Sequence, residues 1–277
     1  MPSIDHDGAT IAYDVTGDGE PLLLVCGCGA PALGWHAGVL PGLVDAGFRV
    51  ATFDNRGVAP SSSPPAPYSI AQLATDALAV ADAVGFERFL VAGHSMGGWI
   101  SEVLAAERPD RVVAAALMGS CNEPTAWELA ITRVERDLAG ADLALPPLFF
   151  ACETLRYLPN HELQDDATIN AWLAMIGDEE PWANPGRLGQ YEACLAWSSN
   201  HGAGERWPRI SVPCLVLAFE HDIDSPPARA RAAAAAIAGA SYAEVAGASH
   251  LGVFTHPAAV VGLLVEFFTE KAIRGRA

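Results

Sequence analysis

The sequence Gly93-His94-Ser95-Met96-Gly97 directly follows the apolar run Phe89-Leu90-Val91-Ala92. This arrangement predicts a buried strand, an abrupt turn with Ser95 at its apex, and then a helix. Glycine stands two positions before and two positions after Ser95, where a Cβ atom would clash inside such a turn. The turn exposes the Ser95 hydroxyl and brings the Met96 N–H to a helix start, so Ser95 is a candidate nucleophile.

Strands and helices alternate on both sides of this turn. Strand-like apolar runs lie at residues 11–15, 22–25, 49–54 and 112–117, and helical spacing predicts helices at 35–46, 70–84 and 95–107. The same alternation returns with strands at 214–219 and 241–245 and helices at 228–238 and 258–268. It predicts the α/β class, with a mostly parallel central sheet flanked by helices.

A helical segment interrupts the alternation between residue 121 and residue 206. Its first predicted helix places Trp127, Ile131, Val134 and Leu138 on one face. We therefore predict a core made of residues 1–120 and 207–277 and a helical insertion made of residues 121–206, called the cap below. We expect the cap to fold over the core.

The charge of the chain restricts its partners. It carries 16 basic and 33 acidic side chains, a net charge of −17, which repels nucleic acid and anionic membrane surfaces. No secretory signal is visible at the start of the sequence, and no apolar run reaches the roughly 18 residues of a membrane span. The six cysteines form no zinc-binding pattern and are predicted to be reduced thiols, which suggests a cytoplasmic protein.

Three further motifs accompany the turn at Ser95. Asp54-Asn55-Arg56-Gly57 is followed by Ser61, Phe219-Glu220-His221-Asp222 is followed by Pro226, and Gly247-Ala248-Ser249-His250 follows the last predicted strand. In this order and spacing the four motifs resemble the α/β-hydrolase family across nearly the whole chain. The resemblance implies the α/β-hydrolase fold, with the cap inserted after the sixth strand.

The resemblance also implies a role for each motif residue. Ser95 would be the nucleophile and His250 its general base, since an imidazole titrates near neutral pH. Asp222 would orient His250, and Asp224 and Glu123 are the alternatives, less favoured by spacing. The backbone N–H groups of Met96 and Cys28 would form the oxyanion hole.

Two positions depart from the family pattern. Ala59 stands where the turn that begins at Asp54 has a second glycine in the family. The loop after the first buried strand reads Cys26-Gly27-Cys28, where family members usually have His-Gly. The departure removes a side chain that normally braces this loop. Either cysteine could in principle act as a nucleophile, but small buried thiols are the simpler interpretation.

The expected reaction is hydrolysis of an ester, lactone or thioester of a hydrophobic small molecule, without a metal or organic cofactor. The sequence is similar to aclacinomycin-type methylesterases of polyketide tailoring, enol-lactone hydrolases and haloperoxidase-like esterases. A lyase that uses the same serine and histidine as a base is the alternative, followed by a non-catalytic ligand receptor. We expect a monomer or a homodimer.

Aromatic residues of the cap suggest how a substrate is chosen. The cap contains many rings that can line an apolar cavity, and Glu153, Arg156, Arg133 and Asp137 are unranked polar anchors. The rings include Tyr157, Trp182 and Tyr191. Those taken as substrate-binding candidates are Trp127, Phe149, Phe150, Trp172 and Trp197.

Overall fold

A computed structural model of the 277-residue chain describes residues 1–120, 123–141, 143, 145–146, 148–176, 185–200 and 203–274. Eight strands occur in this part of the chain. They are β1 Ser3–His6, β2 Ala9–Thr16, β3 Glu20–Val25, β4 Phe48–Phe53, β5 Phe89–His94, β6 Val112–Met118, β7 Cys214–Phe219 and β8 Ser241–Val245.

The strands form one sheet in the order β1-β2-β4-β3-β5-β6-β7-β8. The first two neighbour pairs, β1 with β2 and β2 with β4, are antiparallel, and the remaining pairs are parallel. In a parallel sheet the carboxyl ends of the strands meet at one edge. Pairing of Val25 with Gly93 and of Phe219 with Val245 therefore brings the loops after β3, β5, β7 and β8 together.

Thirteen α-helices are described, with a short 3₁₀ turn at Trp207–Arg209. Those of the core are α1 Leu33–Ala37, α2 Leu40–Asp45, α3 Ile70–Ala83, α4 Met96–Glu107, α11 Pro227–Ala236, α12 Gly252–Thr255 and α13 Pro257–Arg274. Those between β6 and β7 are α5 Ala126–Gly140, α6 Phe149–Leu155, α7 Asn160–Leu163, α8 Asp166–Ile176, α9 Pro185–Ser199 and α10 Ala203–Arg206. None of the described helices is both long and apolar enough to cross a membrane.

The hydrophobic core lies on both faces of the sheet. Along β3, Leu23 and Val25 pack with α3 and α4 on one face, whereas Leu22 and Leu24 pack with α2 and α13 on the other. Alternate side chains of a strand point to opposite faces, so a continuous apolar run is required where both faces are covered. The prediction of an α/β fold with a mostly parallel sheet is confirmed.

Two local expectations differ from the structure. The single crossover helix expected at 35–46 is divided into α1 and α2, because the chain leaves helical geometry at Gly38 and Pro41 then occupies the first turn of α2. Strand β1 was not predicted from the sequence. Asp7 and Gly8, with φ of 44° and 76°, form a tight turn that joins β1 to β2 as a hairpin.

The buried face of helix α5 lies one residue, or about 100°, around the helix from its apolar stripe. Trp127 is 47% exposed and Val134 is 51% exposed, whereas the buried face carries Glu128, Thr132 and Glu135. These polar side chains remain buried because other polar groups meet them: Arg156 binds Glu135 and Ser198 donates to Glu128. A polar layer therefore lies inside the cap.

Candidate active site

Ser95 lies between β5 and α4 in a backbone conformation that L residues rarely adopt, with φ of 55° and ψ of −124°. Backbone hydrogen bonds hold it there: its N–H donates to the Met118 carbonyl at 2.9 Å, and its own carbonyl accepts from the Gly98 N–H at 2.8 Å. The side chain remains partly exposed. The local strain presents the Ser95 hydroxyl above the end of the sheet.

The flanking glycines are required by close backbone approaches. A Cβ atom at Gly93 would lie 1.9 Å from the Gly97 carbonyl oxygen, and one at Gly97 would lie 2.2 Å from the Val25 carbonyl oxygen. Both distances are far below van der Waals contact. The helix that follows Ser95 can therefore pack directly against the end of β3.

Three of the predicted site residues form a continuous hydrogen-bonded chain. Oγ of Ser95 lies 3.0 Å from Nε2 of His250, and Nδ1 of His250 lies 2.8 Å from Oδ2 of Asp222. An ionised carboxylate only accepts hydrogen bonds, so Nδ1 carries the proton of a neutral imidazole and Nε2 is left to accept from Ser95. This is the arrangement in which a histidine can deprotonate a serine.

The electrostatics of this pair favour an ionised Asp222. Burial alone would raise the pKa of Asp222. The charge of His250 and the N–H groups of Ser225 and Asp224, each 2.9 Å from Oδ1, outweigh burial, so the net pKa lies below the ordinary 3.8. Burial likewise lowers the pKa of His250, and the charge and hydrogen bond of Asp222 outweigh it, so the net pKa lies above 6.5.

The two alternative acids lie elsewhere. Asp224 accepts a hydrogen bond from Nε1 of Trp127 at 3.1 Å, and its charge contributes only secondarily to the raised pKa of His250. Glu123 is exposed, and its backbone carbonyl accepts from Arg229. The structure thus brings Asp222, and neither Asp224 nor Glu123, into hydrogen-bond contact with His250.

The predicted oxyanion donors lie on either side of Ser95. Met96 is the first residue of α4, where backbone N–H groups have no acceptor within the helix. On the other side, a Cβ atom at Gly27 would lie 3.1 Å from the Cβ of Ser95, so the loop of residues 26–29, called the oxyanion loop below, passes beside the hydroxyl. Cys26 is buried and its thiol pKa is raised by that burial, which disfavours a reactive thiolate.

The motif around Asp54 anchors the chain on both sides of this loop. Nδ2 of Asn55 donates to the Cys26 carbonyl at 3.1 Å, and the Ala32 N–H donates to Oδ1 of Asp54 at 2.7 Å. Arg56 is buried and binds both carboxylate oxygens of Asp76, at 2.6 and 2.7 Å. The motif therefore fixes the loop to the core through side-chain hydrogen bonds.

A polar cluster of the cap lies directly above His250. The ring of Tyr157 is 5.1 Å from the His250 ring, and its hydroxyl accepts a hydrogen bond from Arg156. Arg156 also binds Glu135 and Glu153, each at 2.6 Å. Burial raises the pKa of Glu135 to about 7 although Arg156 counteracts it. A buried carboxyl group with a pKa near neutral is thus linked through Arg156 to the ring that packs on His250.

The predicted cap aromatics fall into different environments. Trp172 packs with Leu155, Leu158 and Leu251 in an apolar cluster next to His250. Phe149 and Phe150 are half-buried, and the guanidinium of Arg187 lies 5.0 Å from the Phe150 ring.

Trp197 instead packs on the main core, between Trp99 and the guanidinium of Arg206, which lies 3.7 Å from its ring. Trp127 is half-exposed, and its Nε1 donates to Asp224 in the loop that carries Asp222. Trp182 and the first two predicted cap residues, 121 and 122, lie outside the described residues.

Sequence reasoning missed three buried residues near the site: Glu128, Glu135 and Gln190. The two glutamates share a helical face with Thr132 at spacings of four and three residues, a signal that was available. Gln190 is fully buried on α9 and contacts Gly29 of the oxyanion loop. An isolated glutamine in a cap helix gives no recognisable sequence signal.

Comparison with known proteins agrees with the fold described above. A family model described as the alpha/beta hydrolase fold matches residues 20–141. The chain has the α/β-hydrolase fold and is a hydrolytic enzyme of that fold.

Three relatives illustrate the range of named activities. The crystal structure of a Mycobacterium tuberculosis protein that bears the name non-heme bromoperoxidase BpoC has a TM-score of 0.86 at 28% identity, covering 94% of this chain and 96% of that chain. Rhodomycin D methylesterase DauP of Streptomyces sp. strain C5 is 27% identical over 281 residues, 90% of this chain and 92% of that protein. An enol-lactonase from Burkholderia xenovorans LB400 has a TM-score of 0.80 at 25% identity, covering 97% of this chain and 100% of that chain.

Proposed function

We propose that this protein is a serine hydrolase that cleaves a carboxylic ester, or a lactone or thioester, of a hydrophobic small molecule through an acyl-enzyme. The observation that carries the proposal is the continuous chain of hydrogen bonds from Asp222 through His250 to Ser95. It connects a nucleophile, a base and an ionised acid in the order that acyl transfer requires.

In the first half of the reaction, the Ser95 oxygen attacks the substrate carbonyl while its proton moves to Nε2 of His250. The carbonyl oxygen becomes an oxyanion, and the N–H groups of Met96 and Cys28 stabilise it. Asp222 stabilises the imidazolium that forms. His250 then gives the proton to the departing alcohol or thiol, and the acyl group remains on Ser95.

The second half repeats these steps with water as the nucleophile. His250 removes a proton from the water molecule, and the hydroxide attacks the acyl-enzyme carbonyl. The same oxyanion donors stabilise the second tetrahedral intermediate. Collapse of that intermediate releases the carboxylic acid, and His250 returns its proton to Ser95. No step requires a metal or an organic cofactor.

The cap, residues 121–206, supplies the proposed substrate contacts. The apolar cluster of Trp172 and Leu251 and the ring of Tyr157 adjoin His250, which favours a hydrophobic acyl or alcohol group. The methylesterase relative supports an ester substrate from specialised metabolism. We further propose that the protein acts in the cytoplasm, as a monomer or homodimer.

The proposal is tested with p-nitrophenyl acetate and two serine variants. Ser95→Ala should abolish turnover and should prevent the gain of one acetyl group in the mass of the rapidly quenched protein. Ser241→Ala, at an exposed position of β8, should behave as the wild type. Two results would contradict the acyl-enzyme mechanism and favour a base mechanism such as that of a lyase. One is turnover by Ser95→Ala, and the other is turnover by wild type with no acetylated intermediate in any rapidly quenched sample.

A further inference from the structure

The oxyanion loop has no strong polar side chain of its own. Its residues are Cys26, Gly27, Cys28 and Gly29, so it carries only two thiols, which are weak hydrogen-bonding groups. A backbone hydrogen bond of 3.3 Å joins the N–H of Ala30, directly after the loop, to the Gly27 carbonyl. The orientation of the Cys28 N–H therefore depends on groups that approach the loop from elsewhere.

Gln190 of helix α9 is such a group. Its Oε1 accepts a hydrogen bond from the Gly29 N–H at 2.7 Å, and its Nε2 donates to the Arg56 carbonyl at 2.8 Å. The residue is fully buried, with 0% of its surface exposed. Since a carbonyl only accepts, the contact with Arg56 fixes which end of the amide faces Gly29. One side chain thus links the residue after Cys28 to a turn of the core.

Helix α9 is held firmly enough to act as a reference for the loop. A Cβ atom at Gly186 would lie 2.2 Å from the Gly57 carbonyl oxygen, and one at Gly189 would lie 2.6 Å from the Tyr68 ring, so the first turns of α9 rest directly on the core. Ala193 and Cys194 of the same helix are buried in the main core cluster.

A second contact joins α9 to the loop one helical turn after Gln190. Cys194 lies four residues further along the helix, on the same face. Its buried thiol packs against Cys28, and this neighbouring thiol together with burial raises the pKa of Cys194 well above the ordinary value. Helix α9 therefore meets the oxyanion loop at both Cys28 and Gly29.

We propose that Gln190 is a positioning residue for the oxyanion hole: its bond to the Gly29 N–H orients the loop so that the Cys28 N–H faces the reacting carbonyl. The inference rests on the proposed function, because it assumes that Cys28 is an oxyanion donor. It assigns part of the catalytic geometry to α9, a helix of the cap that rests on the core. An oxyanion donor has to sit within about 2.7–3.1 Å of the developing charge, and a displacement near 1 Å costs on the order of a hundredfold in rate.

Two substitutions separate positioning from structural support. Gln190→Met keeps the length of the side chain and removes both hydrogen bonds. Gln190→Glu keeps an acceptor for the Gly29 N–H but places a carboxylate against the Arg56 carbonyl in a buried site, which costs stability. A positioning role predicts that Gln190→Glu is the more active variant, whereas a merely structural role predicts that activity follows stability.

The experiment measures kcat and KM for p-nitrophenyl acetate, the rate at which paraoxon phosphorylates Ser95, and the melting temperature. We expect Gln190→Met to lower kcat and the phosphorylation rate together by about ten- to a hundredfold, with KM changed less than about threefold. Gln190→Glu should keep kcat within about fivefold of wild type despite a lower melting temperature. Val80→Ala, in the last turn of α3 before β5, controls for destabilisation remote from the site.

The inference is overturned if Gln190→Met keeps kcat within about twofold, if Gln190→Glu loses as much activity as Gln190→Met, or if Val80→Ala loses as much as either. If Gln190→Met does not fold, the comparison of Gln190→Glu with wild type decides alone: a kcat loss beyond about fivefold overturns the proposal and a smaller loss supports it. Failure of the proposed function would show separately, as turnover that survives in Ser95→Ala.

Discussion

Nε2 of His94 lies 2.8 Å from the backbone carbonyl oxygen of His250, and the two rings are 4.9 Å apart. The carbonyl only accepts, so Nε2 of His94 carries the proton and donates it. The residue immediately before the nucleophile thus holds the loop that carries the base. Burial, followed by the neighbouring charge of His250, lowers the pKa of His94 to about 3, so it stays neutral at working pH.

The low pKa of His94 predicts a measurable loss of stability in acid. Between pH 6.5 and pH 3 the unfolded chain binds a proton at His94 that the folded chain does not, so stability falls as pH falls. A glutamine side chain at this position would place an amide N–H near the site of Nε2 without titrating. Between pH 7 and pH 4 the free energy of unfolding should therefore fall in both proteins, and the fall in wild type should exceed that in His94→Gln by up to about 3 kcal/mol.

Urea unfolding at the two pH values measures this difference, and kcat at pH 8 checks that His250 is still held. Equal losses of stability in variant and wild type would mean that His94 does not titrate as its burial requires. His94→Leu removes the donor as well as the charge. It should therefore lower kcat where His94→Gln does not.

Asp222 and Asp224 are predicted to differ sharply in their contribution to activity. Asp222→Asn removes the acceptor for Nδ1–H of His250 and favours the wrong tautomer, so kcat should fall by about 10⁴. Asp224→Asn leaves that hydrogen bond in place and removes only a nearby negative charge. Its kcat should remain within about tenfold of wild type.

The pH profile gives a second measurement of the same two variants. Catalysis needs neutral His250, whose pKa is raised above 6.5, so kcat/KM of the wild type should rise with pH and reach half its plateau above pH 6.5. The Asp224 charge contributes to the raised pKa, so Asp224→Asn should move the midpoint to lower pH. An unchanged midpoint would mean that the Asp224 charge does not act on His250. A larger loss of kcat in Asp224→Asn than in Asp222→Asn would reverse the two assignments.

Local sequence signals explain why so much of the fold could be predicted. The strands β3, β5 and β7 contain continuous apolar runs because both faces of the sheet are covered, and glycine around Ser95 marks close backbone approaches. These constraints act within a few residues of the chain. The order and spacing of Ser95, Asp222 and His250 also identified the residues that the structure brings together.

The remaining features depend on contacts between distant segments. The buried face of α5 is polar because Arg156 and Ser198 arrive from other helices, so its apolar stripe indicated the wrong side. Gln190 contacts Gly29 across 161 positions of the sequence, and nothing near it predicts that pairing. The hairpin at Asp7 and Gly8 is different, since a two-residue turn of this composition was a readable signal that the analysis overlooked.

The glycine positions provide a prediction with an internal control. Gly97→Ala would place a methyl group 2.2 Å from the Val25 carbonyl, so α4 or β3 has to shift, and we expect a loss of at least about 2 kcal/mol in the free energy of unfolding together with most of the activity. Gly262→Ala, in α13, meets no atom within 4 Å and should stabilise the protein by about 0.5–1 kcal/mol. Urea unfolding of the two variants tests both statements, and equal effects of the two substitutions would contradict the packing argument.

The cap cluster above His250 predicts a pH-dependent effect of removing Arg156. In the wild type, burial raises the pKa of Glu135 to about 7 and Arg156 opposes that rise. Arg156→Met removes the opposing charge, so the pKa of Glu135 should rise further and its ionisation should cost more. Between the ordinary pKa of 4.5 and the raised pKa of the folded state, the folded protein keeps a proton on Glu135 that the unfolded chain has released. Stability therefore falls as pH rises through this window. For the variant, that window extends beyond pH 7.

We therefore expect the difference in melting temperature between wild type and Arg156→Met to be larger at pH 9 than at pH 6. The double variant Arg156→Met, Glu135→Gln carries no titrating carboxyl at that position and should lose this extra pH dependence, although it still lacks the bond to Glu153. A difference that is the same at both pH values would mean that Glu135 does not gain its raised pKa from burial inside the cap. The double variant then distinguishes the two contributions of Arg156, since any pH-independent loss that remains reports its packing against Tyr157 and its bond to Glu153.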